Sequence, residues 1–141
     1  KTPIYTHIGH TASRPCGDYS ACLREQGPTN VLQTRKDPVF DGLPREFSAV
    51  ESHCGQIEWA PQGWVLIATK GAGGKTRTQC LRLKDRPVYA AQFHMELGGA
   101  EETSLKLMTS FLRAASAWGG YNPDGVDLPE PEEWEAEGKG E

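Results

Sequence analysis

The sequence lacks any long apolar run. Its longest, Trp64 to Ala68, is five residues, far short of the ~20 that a membrane-spanning helix needs, so neither a helical span nor a membrane partner is expected. A charged-then-apolar leader is missing too, which speaks against a secretory signal. The chain begins Lys1-Thr2-Pro3-Ile4-Tyr5 without an initiator Met, and a processed or truncated start is the expectation. No two of its four cysteines (Cys16, Cys22, Cys54, Cys80) have zinc-knuckle spacing, and His7-x-x-His10 has no third ligand nearby in sequence. No metal site and no cofactor are therefore expected. Free thiols in a reducing cytoplasm are the expectation, with a Cys16–Cys22 disulfide the open alternative.

Strong positive charge is also absent. The net charge is -4, and from Tyr121 onward eight acids face one base, so that tail carries -7 and residues 1–120 carry +3. A body so near neutrality lacks the dense basic stripe of a nucleic-acid binder, and no nucleic-acid partner is expected. A length of 141 residues suits one domain. Residues 1–120 read as its body and 121–141 as an acidic, Pro-containing tail, extended or disordered, with Trp134 as a weak docking anchor or an inert side chain.

What is present is a run of short strand signals followed by one helix. Ile4, Tyr5 and Ile8 suit a short strand, and Tyr19 to Glu25 a short strand or helical turn. Gly27-Pro28-Thr29-Asn30 is turn chemistry, and Val31 to Thr34 a strand. Asp37 to Pro44 reads as a loop with one helical turn. Phe47 to Ser52 alternates apolar and polar residues as a half-buried strand does. Trp64 to Ala68 suits a buried strand, Gly71 to Gly74 a flexible connection, Arg77 to Leu83 a strand, Lys84 to Pro87 a hairpin-like turn, and Val88 to Phe93 a further strand. From Glu101 to Trp118, Leu105, Met108, Phe111, Leu112, Ala115 and Trp118 recur at three and four, which predicts a helix burying that stripe, stopped by Gly119-Gly120. Each large side chain buried contributes about 1.5–3 kcal/mol.

Gly73-Gly74-Lys75-Thr76 invites comparison with a phosphate loop. That pattern needs a Gly five places before Gly74, where Thr69 stands, so a strand-connecting loop with a surface Lys is the better reading. The strongest chemical signal is His94 at the exit of a strand with Glu96 two places later. A carboxylate on one ring nitrogen fixes the tautomer of a His, and the other nitrogen is then free to take a proton from a nucleophile. Such acid–base work contributes about 10²–10⁴-fold.

Gln92-Phe93-His94-Met95-Glu96 resembles the Gln-Phe-His-Pro-Glu motif of the class I glutamine amidotransferases. Other pieces follow in the family's order. Asp37-Pro38-Val39-Phe40-Asp41-Gly42-Leu43-Pro44 is similar to its Pro-Leu-Phe-x-Gly-Leu loop, and Phe47 to Ile57, with Glu51-Ser52-His53, to the strand that ends in a His before its glutamine pocket. Pro61-Gln62-Gly63 and the strand after it resemble its Leu-Pro-x-Gly turn, and Glu101 to Trp118 its closing helix. The resemblance spans residues 31–118. It implies an α/β fold, a mixed sheet with flanking helices like the C-terminal half of that flavodoxin-like domain. It also implies glutamine amide hydrolysis supplying ammonia to a partner synthetase domain or subunit. In that scheme His94 is the general base and acid, Glu96 orients it, and Ser52 and His53 lie near the bound glutamine.

Two departures qualify the resemblance. Met95 replaces the motif's Pro, and these 141 residues contain no Gly-x-Cys-x-Gly turn for the family's nucleophile. The expectation is a chain inactive in isolation, a partial domain whose uncovered sheet face is exposed or buried by self-association. Two other readings stay open. One is a non-catalytic binding module derived from the fold; the other is a cysteine hydrolase using Cys54, whose neighbour His53 could lower its pKa.

Overall fold

The computed structural model describes residues 5–8, 23–97, 101–118 and 132–133. The expectations about Cys16, Cys22, His10 and Trp134 lie outside those residues. The main sheet consists of β2 (Glu25–Gln33), β4 (Glu46–His53), β6 (Trp64–Lys70), β7 (Cys80–Leu83) and β8 (Tyr89–Ala91), with β4 alternating buried and more exposed residues. Its spatial order is β4-β2-β6-β7-β8. Two small ribbons flank it: β1 (Tyr5–His7) pairs with β5 (Gly55–Ile57), and β3 (Arg35–Lys36) with β9 (Glu132–Glu133). Every pairing among the described residues is antiparallel. The acidic tail is therefore docked at Glu132–Glu133, where Glu133 meets Arg35 at 3.1 Å.

The sheet curls. Beyond β8 the chain returns to the opposite edge strand, where His94 bridges Val50 of β4 and donates its N–H to the Val50 carbonyl at 2.9 Å. The core inside the curl is Val31, Phe47, Ala49, Ile67, Ala68, Cys80 and Phe93, joined by Val39 and Phe40 from the 3₁₀ turn Pro38–Phe40 and by Leu107 from helix α1 (Glu101–Trp118). Phe47 stands edge-on to Phe93 at 5.9 Å, which fastens β4 to the segment carrying His94. One helix against this sheet gives the expected α/β fold.

Two local expectations are corrected. Gly27-Pro28-Thr29-Asn30 is not a turn but the middle of β2, with Gly27 opposite Glu51 and Pro28 opposite Val50. β6 pairs with β2 only at Val31 to Gln33, so residues 25–30 form an edge on that side. Edges tolerate Pro, and Gly27 takes the positive φ of 87° that a side chain would resist. The helix spans the expected residues but is turned. Leu107, Ser110 and Ala114 face the core with Phe111 partly buried, whereas Leu105 (70% exposed), Leu112 (57%), Met108 and Trp118 face outward. The helix has two apolar sides, and periodicity cannot choose between them. The small Ser110 and Ala114 belong to the side that packs.

A buried ion pair ties the turn to the sheet. Asp37 caps the 3₁₀ turn by accepting the Val39 N–H at 3.0 Å, and it also accepts from Arg82 of β7 at 2.8 Å and Tyr89 of β8 at 2.9 Å. Burial and the adjacent Asp37 carboxylate push the Tyr89 hydroxyl well above its usual pKa. Asp37→Asn removes the carboxylate charge paired with the buried Arg82, and about 3–5 kcal/mol of stability is expected to be lost in urea denaturation. Glu102→Ala, which removes only the surface pair with Lys106, should leave the midpoint unchanged.

Candidate functional site

The segment after β8 bends and makes a single bridge to β4 at His94. Phe93 is buried and Met95 packs against the core, so Gln92, His94 and Glu96 point the other way. This puts the His94 and Glu96 side chains together, with His94 Nδ1 2.7 Å from Glu96 Oε1. The carboxylate can only accept, so Nδ1 carries the proton and Nε2 is left as the acceptor. The hydrogen bond from His94 holds the Glu96 carboxyl below its usual pKa, which keeps it ionised. Met95 replaces the restraint of a proline ring with side-chain packing.

Beside this pair lies a cleft of about 520 Å³. Gln92 lines it, together with Arg24, Glu25, Gln26, Ser52, His53 and Cys54 and the β5 ribbon Gly55, Gln56 and Ile57. Ser52 and His53, both proposed from sequence, thus share one cleft. His94 and Glu96 are not among its lining residues; His94 is held beside it through the bridge to Val50, two places before Ser52 on the same strand. Cys54 is buried on the cleft wall. The strand β5, not a helix, follows it, so no helix N-terminus supplies oxyanion donors beside it.

Glu25 and Glu51 went unrecognised as site residues. The β2–β4 register sets Glu25 opposite His53, and Glu51 sits two places earlier on the same face. His53 Nε2 lies 2.8 Å from Glu51 Oε2 and 3.3 Å from Glu25 Oε2, with both carboxylates buried. His53 Nδ1 donates to the Gly55 carbonyl at 2.8 Å. Burial opposes charge on His53. The Glu51 contact, the Gly55 carbonyl and the charges of Glu51 and Glu25 outweigh it and raise the pKa above 6.5. A signal was available in the sequence: Phe47, Ala49 and Glu51 share one face of an alternating strand, which marks Glu51 as a charge on the core side.

No protein-family model matches the chain. It is 37% identical over 67 residues to glutamine-hydrolyzing GMP synthase of Thermosipho africanus, a match covering 48% of this chain and 12% of that protein. It is 29% identical over 77 residues to one subunit of the glutamine-hydrolyzing GMP synthase of Methanocaldococcus jannaschii, covering 55% of this chain and 39% of that one. The matches thus span well under two thirds of these relatives' lengths. A crystal structure of a candidate GMP synthase subunit from Thermoplasma acidophilum shares the fold, with a TM-score of 0.65 at 22% identity over 85% of this chain and 52% of that one. Over part of their length, the chain thus resembles glutamine amidotransferase domains in sequence and in fold. In this amidotransferase-like domain the motif segment closes the curled sheet beside the cleft.

A His whose folded pKa is raised adds stability below its unfolded value, and that contribution is lost as pH rises through the folded value. In chelating buffer, the urea midpoint is expected to be higher at pH 6 than at pH 8. The difference should shrink in Glu51→Gln; an unchanged difference would mean that His53 is not charged by this carboxylate.

Proposed function

We propose that this domain binds glutamine in the cleft and takes part in hydrolysing its side-chain amide, releasing ammonia for a synthetase partner. The observation that carries this reading is the His94–Glu96 pair, joined at 2.7 Å and held by the sheet beside a cleft lined by Ser52, His53 and Gln92. His94 is the general base and acid, taking a proton at Nε2 from a thiol nucleophile and returning it to the leaving ammonia. Glu96 fixes the tautomer and balances the imidazolium charge. The nucleophile is a thiol that these 141 residues do not carry in a Gly-x-Cys-x-Gly turn.

The similarity to glutamine-hydrolyzing GMP synthases supports a GMP-forming synthetase as the recipient of the ammonia, and the cytoplasm as the compartment. In this reading residues 1–120 are part of a larger glutaminase domain and 121–141 an acidic extension. The uncovered apolar side of α1, Leu105, Met108 and Leu112, supports that partition, since such faces mark contact surfaces.

The chain alone is expected to release no ammonia from glutamine above background. Added glutamine should nonetheless shift the amide resonances of Ser52, His53 and Gln92. Ammonia release abolished by His94→Ala in the isolated chain would overturn the missing-nucleophile part of the reading. Absence of any glutamine-induced shift would overturn the pocket assignment and leave a binding module for something else.

A further inference from the structure

We infer that Glu25, Glu51 and His53 form a binding site for a divalent first-row transition-metal cation at the inner wall of the cleft. The reading of the chain as glutaminase-like does not require this site, and its test is independent of glutamine.

The inference starts from a buried carboxylate whose hydrogen-bonding capacity is unmet. Glu51 is fully buried, yet neither of its carboxylate oxygens has an aligned hydrogen-bond donor among the described residues. Its close neighbour, His53 Nε2, also lacks an aligned hydrogen bond despite its 2.8 Å approach. A bare buried carboxylate is costly, and buried polar groups without partners call for an explanation such as an ion.

The neighbours are arranged as metal ligands usually are. Gly55's carbonyl accepts from His53 Nδ1, which in the neutral ring turns the Nε2 lone pair toward both carboxylates. Three lone-pair donors facing one another repel unless a proton on the imidazole or a cation lies between them. Glu25 is held in place by two backbone amides, Lys75 N–H at 2.6 Å and Thr76 N–H at 3.2 Å. Such outer partners fix the orientation of ligating carboxylates and imidazoles. All three ligand atoms lie within 4.8 Å of one another, and their shorter separations approach the ~3.3 Å between ligand atoms around a tetrahedral ion with ~2.0–2.1 Å bonds. One imidazole with two carboxylates suits Zn²⁺ or Mn²⁺ better than Ca²⁺ or a thiolate-seeking ion. Glu25 and His53 also line the cleft, so a bound ion would keep an open side toward it.

The test is calorimetric titration of the chelator-stripped full chain with Zn²⁺, in parallel with Co²⁺ absorption spectroscopy. One Zn²⁺ per chain is expected to bind with a Kd of about 10 μM or tighter, raising the Tm by mass action. Glu51→Gln, nearly isosteric, should weaken binding by about 100-fold or more, in line with the loss of a ligand. His53→Gln gives the same comparison should Glu51→Gln fail to fold. Cys54→Ser should bind as the parent does. The Co²⁺ complex of the unmutated chain should show no thiolate charge-transfer band. Failure to bind Zn²⁺, affinity unchanged in both ligand variants, or a thiolate band would overturn the site.

Discussion

A sheet that curls until its two ends meet is the constraint on which the site depends. The hydrogen bond from His94 N–H to the Val50 carbonyl joins the strand exit after β8 to β4, the far edge of the sheet. Phe47 against Phe93 packs beneath that junction. Without the closure, the His94–Glu96 pair would belong to a loose segment. With it, the pair stands on the strand that carries Ser52 and His53. A chemical signal local in sequence gains its setting from a contact made across 44 positions of sequence.

The interior holds two charged clusters of opposite character. In one, the Asp37 oxygens accept from Val39, Arg82 and Tyr89, so the anion is compensated and the cluster is structural. In the other, two carboxylates crowd one imidazole, and Glu51 has no aligned donor among the described residues. Buried charge stabilises only when its hydrogen-bonding capacity is met. In the first cluster both Asp37 oxygens meet that condition, through Val39, Arg82 and Tyr89. The second leans on the charge state of His53 or on an added cation, and it borders the cleft rather than the middle of the core.

Parts of this arrangement were legible in the sequence. The pairing of His94 with Glu96 was signalled by their two-residue spacing, and the helix from Glu101 to Trp118 follows from its period. The side on which that helix packs did not follow, because Leu105, Met108 and Leu112 make as good an apolar stripe as Leu107, Phe111 and Ala114. The strand through Gly27 and Pro28 was hidden because its turn residues sit on an edge, a tertiary circumstance. The Glu25–Glu51–His53 cluster was hidden more deeply. Glu25 and His53 are 28 positions apart and meet only through the β2–β4 register. The ordered motifs carried the family resemblance because each keeps its local geometry, whereas clusters assembled by register leave little trace in composition or spacing.

The central claim is that closure of the sheet holds His94 at the cleft, and native-state hydrogen exchange at single amides tests it most directly. The His94 and Gln92 amides, donating to Val50 and Gln79, are predicted to exchange as slowly as the amides inside β4 and β7. Exchange of His94 at the rate of an exposed loop, while those strands stay protected, would show that the junction is open and contradict the account.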